Sequence, residues 1–197
     1  MKFVLIVFFT LMPGLAFAHI GTDAGIHHVS AFLAGFIHPF TGLDHMAAMI
    51  AVGIWSMQSF RHSSRNIWAA PIAFACLLMV GGLIGFAGTG LPIVEPMIAT
   101  SLLILGLFVA LRVKLPLLAA VAMAGTFAIF HGVAHGNELP AQHALAVLCG
   151  MVTATMLLHI AGMLLGRFVL ERNVLLFPRL AGATVAAAGL GMLAVSF

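Results

Sequence analysis

The chain has no tyrosine, two tryptophans and two cysteines among its 197 residues. Charge is scarcer still. Eight basic and five acidic side chains make up 7% of the chain, where a soluble domain carries about 25%. So few charges cannot cover a globule of this size. That excludes an ordinary cytosolic enzyme, a disordered chain and a nucleic-acid binder. The isoelectric point near 9.5 rests on this small basic excess, so it reports membrane orientation rather than a basic binding face. What the chain does have is 63% hydrophobic residues, a mean hydropathy of +1.21 and 21 glycines. That is the composition of an all-α integral membrane protein whose helices pack closely through glycine. Cys76 and Cys149 each lie inside an apolar run with no ligand-like neighbour, and read as small core residues.

The first eighteen residues have the layout of a cleavable signal peptide. Lys2 supplies a positive start, Phe3 to Met12 is an apolar run too short to span, and Ala16-Phe17-Ala18 is a cleavage pattern. Cleavage after Ala18 makes His19 the first residue of a single transmembrane domain, 19–197, with its N-terminus outside the cytoplasm. Six later apolar stretches can each cross a core of about 30 Å. They run roughly from Leu43 to Phe60, Ile67 to Phe86, Ile93 to Leu111, Leu115 to Ala134, His143 to Leu165 and Val174 to Phe197. A shorter piece, Ala24 to Ile37, ends at His38-Pro39 and reads as an external half-helix.

The basic residues set the orientation. Arg61 and Arg65, Arg112 and Lys114, and Arg167, Arg172 and Arg179 follow the first, third and fifth spans; the alternate loops contain no Lys or Arg. The positive-inside rule makes the first set cytoplasmic, in agreement with a periplasmic mature N-terminus in a bacterial inner membrane. Given that orientation, eight of the ten histidines fall at the outer face, on segments far apart in sequence. Ionisable groups at membrane depth are costly and mark sites or pathways.

Two runs concentrate them. In His38-Pro39-Phe40-Thr41-Gly42-Leu43-Asp44-His45, Pro39 ends one helix, Gly42 permits a turn, and Asp44 begins the next helix. In His131-Gly132-Val133-Ala134-His135-Gly136-Asn137-Glu138, the two histidines lie at i and i+4 on one helical face, with Glu138 as a third ligand or an orienting group. Nitrogen and carboxylate donors suit Ni²⁺, Co²⁺, Cu²⁺ and Zn²⁺ without choosing among them. His19, His27 and His28 in the leader could capture an ion or form a solvated tail. His159, in the inner half of the fifth span, is either a step on the path inward or a packed ring bonded to a carbonyl.

The first run, followed by Met49 and Val52-Gly53, resembles the HupE/UreJ family, bacterial proteins associated with nickel supply to hydrogenase and urease. Phe130-His131-Gly132-Val133-Ala134-His135-Gly136 with Glu138-Leu139-Pro140, and Leu157-Leu158-His159-Ile160-Ala161-Gly162, resemble it too. The first run is also similar to the His-Asp-His signature of nickel/cobalt transporters, with one extra residue before Asp44. The resemblance implies a permease rather than an enzyme, with Ni²⁺ as cargo and His38, Asp44, His45, His131 and His135 as its site. A His-ligated intramembrane metalloenzyme, with Asp44, Glu138 or Thr41 beside the metal, and a haem- or copper-binding protein are the alternatives. An oligomer or a metallochaperone partner is left open. Because protons compete with metal for imidazole, uptake is expected to weaken below about pH 6, checked by accumulation measured across a pH series.

Overall fold

The computed structural model describes residues 27–89, 91–174 and 176–196, so the expected signal peptide, residues 1–18, and His19 lie outside the described residues. Helix α1, His27–Ile37, leads into a 3₁₀ turn at His38–Phe40 and then α2, Leu43–Phe60. A second 3₁₀ turn, Asn66–Trp68, opens α3, Ala69–Phe86; α4 is Val94–Leu111, α5 Leu117–Glu138, α6 Ala144–Glu171 and α7 Leu176–Val195. There is no strand among the described residues.

Five helices, α3 to α7, are long and apolar enough to cross a membrane. The sixth expected span, α2, is 18 residues long like α3 and α4, but Asp44, His45 and Gln58 hold its hydropathy down. At 11 residues α1 reaches only about 16 Å, half the hydrocarbon thickness. Two helices run past their expected ends: α5 continues through Gly136 to Glu138, and α6 continues to Glu171. The extension matters for α5, because it keeps His131, His135 and Glu138 on one continuous helix rather than leaving Glu138 in a loop.

Glycine sets how the helices meet. A side chain at Gly132 would strike the carbonyl oxygen of Leu78, and one at Gly81 that of Ile129, so α3 and α5 run parallel with backbones in contact. Gly53 and Gly162 do the same for α2 and α6, while Gly106 and Gly182 bring α4 and α7 together antiparallel. Lipid offers no hydrophobic drive between helices, so such close van der Waals approach is what holds them. The core beside these seams is large and apolar: Trp55, Phe74, Met49 and Leu78 are fully buried. Trp55 Nε1–H also donates to the carbonyl of Val113 at 2.7 Å, tying the α4–α5 loop to the end of α2.

The alternating helix directions separate charge from histidine. Arg61, Val113 between Arg112 and Lys114, and Arg167 all meet around the C-terminal end of α2, whereas His45 at its start meets the C-terminal end of α5. The cysteine expectation is corrected. Cys76 and Cys149 are free thiols on the exposed outer surface of α3 and α6, not core residues. A face turned to lipid is as apolar as a core, so hydropathy cannot tell the two apart.

Candidate metal centre

The site begins with the break between α1 and α2. Pro39 is buried in the 3₁₀ turn, and both the backbone N–H of Thr41 (2.9 Å) and its hydroxyl (2.7 Å) donate to the carbonyl of His38. The turn is therefore closed by its own residues, and the Thr41 hydroxyl is committed to it. Gly42 has an ordinary extended backbone, φ −95° and ψ 113°. What it supplies is space: a Cβ there would sit 2.9 Å from Asp44 Oδ1 and 3.3 Å from His45 Nδ1. The chain can then swing His38 and His45 toward the same point from either side of the break.

Four imidazoles and two carboxylates converge. The His45 ring centroid lies 4.3 Å from that of His135 and 5.0 Å from that of His131, and the His38 and His135 centroids are 4.8 Å apart. Asp44 Oδ1 stands 3.0 Å from His45 Nδ1, and Glu138 Oε2 is 2.9 Å from His38 Nε2. One donor atom each from His38, His135 and Glu138 falls within 4.8 Å of the others. Two nitrogens bound to one ion at 2.0–2.1 Å can be at most about 4.2 Å apart, so closure around an ion needs side-chain shifts of roughly half an ångström. The cluster is graded in exposure: His131 and His135 are fully buried, His45 is nearly so, and His38 and Glu138 open to the surface.

In this cluster and at His159, many ring nitrogens have nothing to bond. Both nitrogens of His135, Nε2 of His45, Nδ1 of His131 and Nε2 of His159 are buried without a hydrogen-bond partner. A buried polar atom left unpaired costs about 1–3 kcal/mol, and several in one place call for an explanation. Two of the rings have their tautomer set from behind. The Ser101 hydroxyl gives its single proton to the Ile98 carbonyl (2.7 Å), so at 2.9 Å it must accept from His131 Nε2–H, which leaves the Nδ1 lone pair free. His159 Nδ1–H donates to the Met49 carbonyl at 2.7 Å, which leaves Nε2 as its lone pair.

His159 is not part of the outer cluster. Its ring packs against fully buried Phe74 at 5.2 Å, and Phe74 in turn lies 5.7 Å from the His131 ring. The Met49 sulfur accepts from the Thr155 hydroxyl at 3.5 Å, consistent with Met49 as a packing residue. His27 and His28 enter as the first two residues of α1. Ser101 and Phe74 escape a reading of the sequence, although a serine inside an apolar span is itself a signal of a buried hydrogen bond.

The comparisons agree with the motifs. A family model described as HupE / UreJ protein matches residues 7–192. Protein HupE of Rhizobium leguminosarum bv. viciae is 39% identical over 183 residues, covering 92% of each chain. The chain belongs to the HupE/UreJ family. No solved structure matches it. Membership in HupE/UreJ and the five long apolar helices together make this a multi-pass membrane protein. The match also spans both histidine runs, so the cluster is built from the segments the family model covers.

Proposed function

We propose that this HupE/UreJ protein is an inner-membrane permease for a divalent transition-metal ion, with Ni²⁺ the favoured cargo. The ion is captured from the periplasm by His38 and Glu138, gathered by His45, Asp44, His131 and His135, and handed inward toward His159. On this reading α2 is a sixth span, the basic end faces the cytoplasm, and residues 1–18 are removed. The observation that carries it is the set of buried, unpartnered imidazole nitrogens contributed by His45 of α2 and by His131 and His135 of α5. Neutral imidazole and carboxylate are the donors such ions take, and a cation would satisfy lone pairs that water cannot reach.

The graded exposure fits entry from outside, since an ion can shed water stepwise from half-exposed Glu138 to buried His131. Phe74, packed against both His131 and His159, is the side chain an ion would have to pass on the way inward. The ring spacings leave no slot for a porphyrin between the clustered histidines. Flux decides between transport and chemistry. Purified protein in vesicles should accumulate Ni²⁺ down a gradient and bind it reversibly. Metal held stoichiometrically through purification, with no flux, would mean an enzyme or a sensor.

Ser101 offers a sharper check. With Ser101→Ala the His131 ring can flip its tautomer, and metal affinity is expected to fall about tenfold, the scale of lost orienting bonds. Ser101→Thr keeps the hydroxyl and should restore binding. Calorimetric titration of both variants with Ni²⁺ measures this, and equal affinities for alanine and wild type would remove Ser101 from the site.

A further inference from the structure

At the end opposite the four-histidine cluster, a cavity of about 740 Å³ opens between the C-terminal ends of α2 and α6 and the turn joining α2 to α3. Its floor is apolar, from Met57, Ile67 and Leu170; its rim carries Arg61, Arg167, His62, Ser64 and Glu171. Each arginine is held by its Nε alone. Arg61 Nε–H donates to His62 Nε2 at 2.9 Å, and Arg167 Nε–H donates to Glu171 Oε1 at 2.7 Å. Among the described residues the terminal Nη groups of both have no partner, so two guanidinium forks stand open over one concave surface.

The chemistry of that rim is wrong for a metal ion. Two guanidinium groups oppose one carboxylate that is already engaged, so a cation leaving by this pocket would be repelled. It suits an anion with paired oxygens, which a guanidinium fork binds bidentately. The flanking helix C-termini present the negative ends of their dipoles, so any attraction for an anion must come from the arginines. Depth points to the kind of anion. The 28 residues of α6 span about 42 Å, longer than a hydrocarbon core of about 30 Å, and Arg167 and Glu171 occupy its last turn and a half. They therefore reach the headgroup layer, where a phosphate above an apolar floor is the ordinary amphiphile.

We propose that this pocket binds the headgroup phosphate of an anionic phospholipid, with Arg61 and Arg167 on the phosphate, Ser64 beside it, and the upper acyl chain against Met57, Ile67 and Leu170. Basic pockets between transmembrane helices hold anionic headgroups in this way. The site is independent of the metal reading and does not need it to be right.

The test is native mass spectrometry of the full chain released from mixed micelles with equal phosphatidylglycerol and phosphatidylcholine. Wild type should retain phosphatidylglycerol over phosphatidylcholine by about tenfold. Arg61→Gln with Arg167→Gln should abolish that preference while phosphatidylcholine retention and thermal unfolding stay unchanged. Glu171→Gln, which frees Arg167, should raise it. Equal retention of the two lipids by wild type, or the same preference in the double variant, would overturn the proposal. Inorganic phosphate added to delipidated protein separates the sources: arginine-dependent phosphate binding without any lipid preference would assign the pocket to a soluble phosphate compound and overturn the lipid reading.

Discussion

Replacing His45 with alanine is expected to lower metal uptake by at least about tenfold while leaving the protein folded in the membrane. His45 is the hub of the cluster. Its ring touches those of both His131 and His135, and Asp44 stands behind it. Removing it takes away the ring that bridges His131 and His135, and leaves His38, against His135 and Glu138, to join the α1–α2 turn to α5. The structural cost is small by comparison, because the His45 ring has no aligned hydrogen bond to lose. Uptake by cells at equal membrane level, with Ni²⁺ bound per purified chain, measures the effect. Cys149→Ala, on the exposed face of α6, serves as the control and should transport normally. Wild-type uptake by His45→Ala would leave the cluster without a role in transport.

How much of this was legible from residues alone varies with what each inference needed. The all-helical character, the α1–α2 break and the gathering of His38, His45, His131 and His135 follow from hydropathy, Pro39 and the alternation of basic loops. The C-terminal end of α5 lies beyond the expected Ala134 because Gly132 and Gly136, which weaken a helix in isolation, pack against the backbone of α3. The core was harder. Cys76 and Cys149 sit in runs no less apolar than those of buried Leu78, since lipid and core ask for the same side chains.

At the site, the polar side chains were visible as residue types but their partners were not. His159 could be read as a ligand or a packed ring, and the structure bonds it to the Met49 carbonyl on another helix, a group that no sequence displays. Ser101 and His131 are thirty positions apart on different helices, and only their packing shows that one sets the tautomer of the other. The contact of Phe74 with both His131 and His159 emerges only when α3, α5 and α6 are assembled.

That assembly is itself open to a severe test. Gly132→Val is expected to destabilise the protein by about 3 kcal/mol or more and to abolish uptake with it. A Cβ at Gly132 would collide with the Leu78 carbonyl and stand 2.7 Å from the Gly82 nitrogen and 2.9 Å from the Gly81 Cα. All three are backbone atoms, so no side chain can rotate away and α3 must part from α5. The consequence reaches the site directly, because Gly132 adjoins His131 and lies in the turn that also carries His135. Moving α5 by the width of a methyl group pulls His131 off Ser101 and both rings away from His45. Gly191→Ala is the matched comparison: it sits in α7 with nothing within 4 Å of an added Cβ, and should be neutral or stabilising by up to about 1 kcal/mol. Unfolding in detergent, followed by helical circular dichroism, compares the two. If both glycines tolerate substitution equally, α3 and α5 do not meet backbone to backbone, and the convergence of histidines that depends on that contact would have to be drawn differently.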